Sequence, residues 1–167
     1  MRLYVFRHGI AEPSQPGVLD AGRELTPRGY ERTLAAAQGL ARFADRPQVI
    51  LTSPKIRARQ TAGILGDVFD LVPQIVEELG EGSAVQIIHM LRHREETSVM
   101  IVGHEPTLSE VIETLCTQKT LPGFIELKKA ACALLDAPLH PDDAPGPARL
   151  KWLLPPRALR TMAGSAD

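Results

Sequence analysis

Three short apolar runs constrain this chain more than any other feature: Leu3-Tyr4-Val5-Phe6, Val49-Ile50-Leu51 and Val99-Met100-Ile101-Val102. Each is continuous rather than alternating. A strand with one face in water alternates apolar and polar side chains, so an unbroken run implies a strand covered on both faces, as in a parallel sheet between helices. Helical patterns fall between the runs. Thr26-Pro27 reads as an N-cap followed by proline in the first turn, opening a helix over 28–43. Ala58, Thr61, Ala62, Leu65, Val68 and Phe69 share one helical stripe, and a weaker pattern covers 83–92. Leu108, Val111, Ile112, Leu115 and Cys116 repeat the i, i+3, i+4 spacing. The order β-α-β-α-α-β-α predicts an α/β fold, a three-layer α/β/α arrangement around a mainly parallel sheet. Segments 123–127, 131–135 and 148–154 read as further strands, the last of them pairing antiparallel at one edge. A mobile Pro- and Asp-rich loop is expected across 136–147. The 167 residues suit one core, predicted as a single domain over 1–154 with a loosely ordered tail over 155–167.

Each buried run ends in polar residues. The first leads into Arg7-His8-Gly9, the second into Thr52-Ser53-Pro54 with Arg57 one turn on, the third into Gly103-His104-Glu105-Pro106. In an open parallel sheet the C-terminal strand ends share one edge, and ligands bind in the crevice there. Two arginines and two histidines, far apart in sequence, are thereby expected in one pocket. The set suits phosphate. Guanidinium forks match phosphate oxygens, and phosphoryl transfer depends mostly on positioning and charge stabilisation. Helix N-termini after Pro54 and Pro106 add backbone donors. A neutral imidazole in such a clamp is a competent nucleophile, and a second imidazole can steady charge or handle protons. Arg59, two residues past Arg57, is expected to point away.

Other chemistries find less support. The formal net charge of -1 gives no overall field toward nucleic acid or an anionic membrane. Cys116 and Cys132 are too few for a disulfide framework and read as buried thiols in a reducing compartment. The opening MRLYVFRHG lacks a signal peptide's apolar stretch and cleavage site, and no run is long enough to span a bilayer, so a cytoplasmic location is expected. His89 and His93 stand at i, i+4, but Met90 replaces the glutamate of the zinc-protease motif, so an exposed helical face is expected there. A cation between His8 and His104 would be repelled by Arg7 and Arg57. No P-loop or dinucleotide fingerprint appears, and neither metal nor cofactor is expected.

Four blocks carry a family resemblance: the strand leading into Arg7-His8-Gly9, then Leu25-Thr26-Pro27-Arg28-Gly29, then Ser53-Pro54-x-x-Arg57-Ala58-x-Gln60-Thr61, and last Gly103-His104. In this order and spacing they resemble the histidine phosphatase superfamily, the phosphoglycerate mutase-like proteins. The short length, the lack of a long insertion before the third strand, and the block Ser53-Pro54-x-x-Arg57-Ala58-x-Gln60-Thr61 look most like the SixA-type phosphohistidine phosphatases. The resemblance implies His8 as phosphorylated nucleophile, Arg7 and Arg57 as phosphate ligands and His104 as second pocket histidine. Gly9 and Arg23 are implied as further phosphate or substrate contacts. A general acid, where the superfamily has one, comes from the segment before the third strand. Here that is Glu77-Glu78-Leu79-Gly80-Glu81-Gly82, with Glu78 and Glu81 the candidates. A leaving imidazole, with a pKa of about 6.5, needs no such acid, whereas an alkoxide does. The expected substrate is therefore phosphohistidine on a protein such as a histidine phosphotransfer domain, with inorganic phosphate as product. The alternatives are a small-molecule phosphomonoesterase of the same fold and a non-catalytic phosphate-binding module.

Overall fold

The first strand, β1 (Arg2–Arg7), is buried from Leu3 to Phe6 between an arginine at each end. The computed structural model describes every residue except 15, 18, 120–122, 141 and 165–167. After β1 the chain crosses a short 3-10 turn (Asp20–Gly22) and enters α1 (Pro27–Ala41). Thr26 caps that helix, its hydroxyl accepting from Gly29 N at 2.8 Å, with Pro27 in the first turn. There follow β2 (Val49–Thr52), α2 (Ile56–Phe69), a two-residue β3 (Gln74–Ile75) and a single turn α3 (Glu78–Glu81). A capping box between Ser83 and Gln86 opens α4 (Ala84–Arg92). The chain ends with β4 (Ser98–Gly103), α5 (Thr107–Thr117), β5 (Cys132–Asp136), β6 (Arg149–Leu154) and α6 (Pro156–Ala163).

The strands form one six-stranded sheet in the order β3-β2-β4-β1-β5-β6. The pairs β1–β4, β2–β4 and β2–β3 are parallel; β5 joins β1, and β6 joins β5, antiparallel. The unbroken runs acquire their meaning here. Leu3, Val5, Leu51 and Ile101 pack with residues of α4 and α5, while Tyr4, Phe6, Ile50 and Met100 pack with α1, α2 and α6. Successive side chains point to opposite faces, and both faces are covered. The expected three layers and antiparallel edge are present.

Three expectations change. Residues 123–127 form no strand: Phe124 N and Ile125 N donate to the buried Glu113 carboxylate at 3.0 and 2.9 Å, so their backbone is satisfied by a side chain rather than a ladder. The segment expected to be a loose tail holds α6, whose Leu159 is fully buried against the α1–α2 layer; residues 165–167 lie outside the described residues. The connection over 136–147 is pinned at both ends, by Ala137 N to Met1 O at 2.9 Å and Ala148 N to Leu115 O at 2.7 Å. Among the described residues no helix is long and apolar enough to cross a membrane.

Candidate functional site

The register of the central strands brings the polar strand ends together. Arg7 pairs with Gly103 and Thr52 with Val102, so His8, Ser53 and His104 each stand one step past the ladder. Backbone bonds continue across the edge, His8 N to Gly103 O at 3.2 Å and Ser53 N to Val102 O at 3.0 Å. The rings of His8 and His104 lie 5.0 Å apart, tilted by 51°. His8, Arg57 and Ser53 are buried.

His8 has a defined tautomer. Its Nδ1 lies 2.7 Å from Gly9 O. A carbonyl only accepts, so the proton is on Nδ1 and the lone pair on Nε2. Burial, and then the charges of Arg57 and Arg7, push its pKa down to about 4, so the ring is neutral at pH 7. His104 is lowered further, to about 3, by burial and by His8 and Arg57. Its Nε2 is 2.8 Å from Ser53 Oγ, while its Nδ1 is buried without a partner among the described residues.

The arginines are held from different sides. Arg7 donates Nη1–H to Leu127 O at 2.8 Å, and Arg57 donates to the carbonyl and the carboxylate of Asp20 at 2.7 and 2.9 Å. The Nε–H groups of both are buried and unpaired among the described residues. Unpaired buried donors are costly, and an oxyanion reaching them would remove that cost. Thr61 links the two halves. Its hydroxyl accepts from Gly9 N at 3.0 Å and donates to Arg57 O at 2.7 Å, tying the loop after β1 to the first turn of α2. Gly9 is required for close approach: a Cβ there would lie 2.2 Å from Thr33 Oγ1.

The loop from β1 to α1 folds back over this edge, zipped at its base by Glu12 N to Glu24 O at 2.9 Å and Thr26 N to Ile10 O at 3.0 Å. Its 3-10 turn places Asp20 among three cations. Besides Arg57, Asp20 accepts from Arg23 Nε at 2.9 Å and lies 3.6 Å from Lys55 Nζ. Hydrogen bonds from Arg23 and Arg57 hold the Asp20 carboxyl well below the usual carboxylate range. Lys55 in turn pairs with Glu81 at 2.8 Å.

The structure thus brings Arg7, His8, Arg57 and His104 together, with Arg23 joined to them through Asp20. The Gly9 N–H points to Thr61 rather than to an open position. Glu81 reaches the rim through Lys55, whereas Glu78 makes no side-chain hydrogen bond or ion pair among the described residues. Arg59 is exposed, as expected, and His89 and His93 are exposed with ring centroids 4.4 Å apart and planes tilted by 58°. Sequence reasoning missed Ser53 as a partner of His104, although its place between a buried strand and Pro54 was a signal. It also missed the hub formed by Asp20, which no periodicity marks. A cavity of about 540 Å³ lined by Gln48 and residues 93–96 lies at the other end of β2 and β4, remote from these groups.

The sequence profile of the histidine phosphatase superfamily (branch 1) matches residues 3–87. An uncharacterized protein of Picosynechococcus sp. is 38% identical over 78% of this chain and 81% of its own length. Phosphohistidine phosphatase SixA of Escherichia coli K12 is 26% identical over 96% of this chain and 97% of its own. The solved structure of the protein histidine phosphatase SixA complexed with tungstate superposes with a TM-score of 0.80 at 25% identity, covering 95% of this chain and 99% of that one. Sequence profile, SixA relatives and superposition agree: the chain belongs to the histidine phosphatase superfamily.

Proposed function

We propose that this chain hydrolyses phosphohistidine on a protein, with His8 as nucleophile and a covalent phosphohistidine intermediate. The observation that carries the reading is the meeting of His8 and His104, ring centroids 5.0 Å apart, with Arg7 and Arg57 at one sheet edge. The Nε2 lone pair of His8 attacks phosphorus; the His8–phosphorus bond forms as the substrate's phosphorus–nitrogen bond breaks. The charge developing on the equatorial oxygens falls to Arg7, Arg57 and His104. Ser53 Oγ accepts from Lys55 N at 3.2 Å, which leaves its hydroxyl proton for His104 Nε2. His104 then carries its own proton on Nδ1, the atom without a partner, where it can donate to a phosphoryl oxygen. Water attacks phosphorus in the second step, and His8 leaves with its lone pair restored.

The substrate class is supported by where the carboxyl groups lie. Among the described residues none hydrogen-bonds to His8 or His104: Asp20 and Glu81 are committed to cations, and Glu105 accepts from Ser109 Oγ at 2.6 Å. An imidazole leaving group does without an acid; an alkoxide does not. The SixA relatives carry phosphohistidine phosphatase in their names, and tungstate, a tetrahedral oxyanion, occupies one of them. The exposed Leu19, beside Asp20, gives the rim an apolar contact for a protein surface.

The test compares a phosphorylated histidine phosphotransfer domain with small phosphomonoesters. Turnover of the domain is expected, with acid-labile phosphate trapped on wild-type protein and none in His8→Ala. Chelator should leave the rate unchanged. Turnover of small esters alone would overturn the protein substrate, and full activity in His8→Ala would overturn the mechanism.

A further inference from the structure

We propose that Asp20 is a resident counter-anion of the phosphate site, a carboxylate that must leave Arg57 before a phosphoryl group can take it, so that Asp20 holds phosphate affinity down. The proposal rests on the reading of Arg57 as a phosphate ligand. Both terminal nitrogens of Arg57 are engaged by one residue, Nη1 by the Asp20 carbonyl and Nη2 by its carboxylate. The Arg57 side chain is only 5% exposed, so the seated turn leaves an incoming anion almost no surface of the guanidinium to meet. Asp20 is 52% exposed, and no residue of its 3-10 turn is buried. It is the partner that can move, because its departure costs no apolar burial.

The exchange is one anion for another. In the resting site the carboxylate collects Arg57 and Arg23, with Lys55 at 3.6 Å. When Asp20 leaves, Arg57 is released, while Arg23 keeps the Glu12 carbonyl at 2.9 Å and Lys55 keeps Glu81. A phosphoryl group carries more charge than a carboxylate and three acceptor oxygens, so it displaces Asp20 while a singly charged anion competes poorly. The turn therefore lowers affinity for the product, inorganic phosphate, and reserves Arg57 for a dianion. A different role gives the opposite sign. If Asp20 were a brace that orients Arg57 for phosphate, removing its charge would weaken binding.

Calorimetric titration with inorganic phosphate separates the two, using wild type, Asp20→Asn, Asp20→Ser and Arg57→Ala, each checked by thermal melting. Phosphate should bind Asp20→Asn about 10-fold more tightly than wild type, the scale of one charge-assisted hydrogen bond. Asp20→Ser should behave alike if the amide variant misfolds. Phosphate should also raise the melting temperature of the variant more than that of wild type. Unchanged or weaker binding in both Asp20 variants overturns the proposal. Loss of binding in Arg57→Ala alongside that result leaves the phosphatase reading standing and removes only the counter-anion. Wild-type binding in Arg57→Ala removes both. Binding detectable only in the Asp20 variants supports the proposal; none in any protein overturns it.

Discussion

At the scale of single residues the site is a set of protons whose positions are fixed by neighbours. His8 Nδ1–H is held by a carbonyl, which leaves one nitrogen for chemistry. His104 is fixed at one remove. Ser53 receives the Lys55 N–H and so has its own proton to give. In the proposed mechanism Ser53 is a positioning residue, acting on the phosphoryl group only through His104. Ser53→Ala should lower kcat by about 10-fold, the lower end for losing a partner behind a ligand, with KM nearly unchanged. Nitrogen NMR of labelled histidine supplies a readout that loss of packing would not move. The His104 tautomer should be Nδ1–H in wild type and a mixture in Ser53→Ala. A wild-type tautomer in the variant would remove Ser53 from the mechanism.

At the scale of elements, α6 shows what periodicity could not reach. Its eight residues are too few to be stable alone, and Pro155-Pro156 at their start reads as a break. The helix exists because it lies on α1, and the contact is very close: a Cβ on Gly39 would stand 1.8 Å from Leu159 O. Gly39→Ala should therefore push α6 off its seat and cost about 2 kcal/mol, within the range for overpacking a tight contact. Urea denaturation would measure it, and an unchanged midpoint would show that α6 yields without loss. The stretch 123–127 failed for a related reason. Its Phe-Ile-x-Leu composition suits a strand, but the Glu113 carboxylate from α5 claims its backbone. The two-residue β3 was too short to register. What sequence did reveal, the central strands and α1, α2, α4 and α5, has its signal within one element: an unbroken apolar run, a stripe, a cap. Elements set by a partner distant in sequence were not legible. The same division holds at the site, where the strand ends that meet were legible, but the bond from Ser53 to His104 and the gathering of cations by Asp20, defined by contacts, were not.

At the scale of the whole molecule the fold takes residues 8, 53, 57 and 104 to one sheet edge and withdraws two imidazoles from water there. That has a consequence for folding. In the unfolded chain both histidines bind protons below about pH 6.5. In the native state His8 does so only near about 4 and His104 near about 3. Between pH 6.5 and 4 the unfolded state therefore holds more protons, and stability rises with pH across that window. The contribution is complete above pH 6.5 and is lost as pH falls toward 4. With both groups titrating, the slope approaches about 2.7 kcal/mol per pH unit, about 1.4 for each proton. Glu105 works in the other direction, because burial raises its carboxyl pKa, so its contribution is lost as pH rises through the folded value. A comparison that changes only the histidines removes that opposing effect. Denaturation of wild type and of His8→Asn/His104→Asn at pH 7, 5.5 and 4.5 should show wild type losing stability steeply with acid and the double variant losing far less. Parallel curves would mean that the imidazoles are not held neutral, and the neutral His8 on which the proposed nucleophilic attack depends would fall with them.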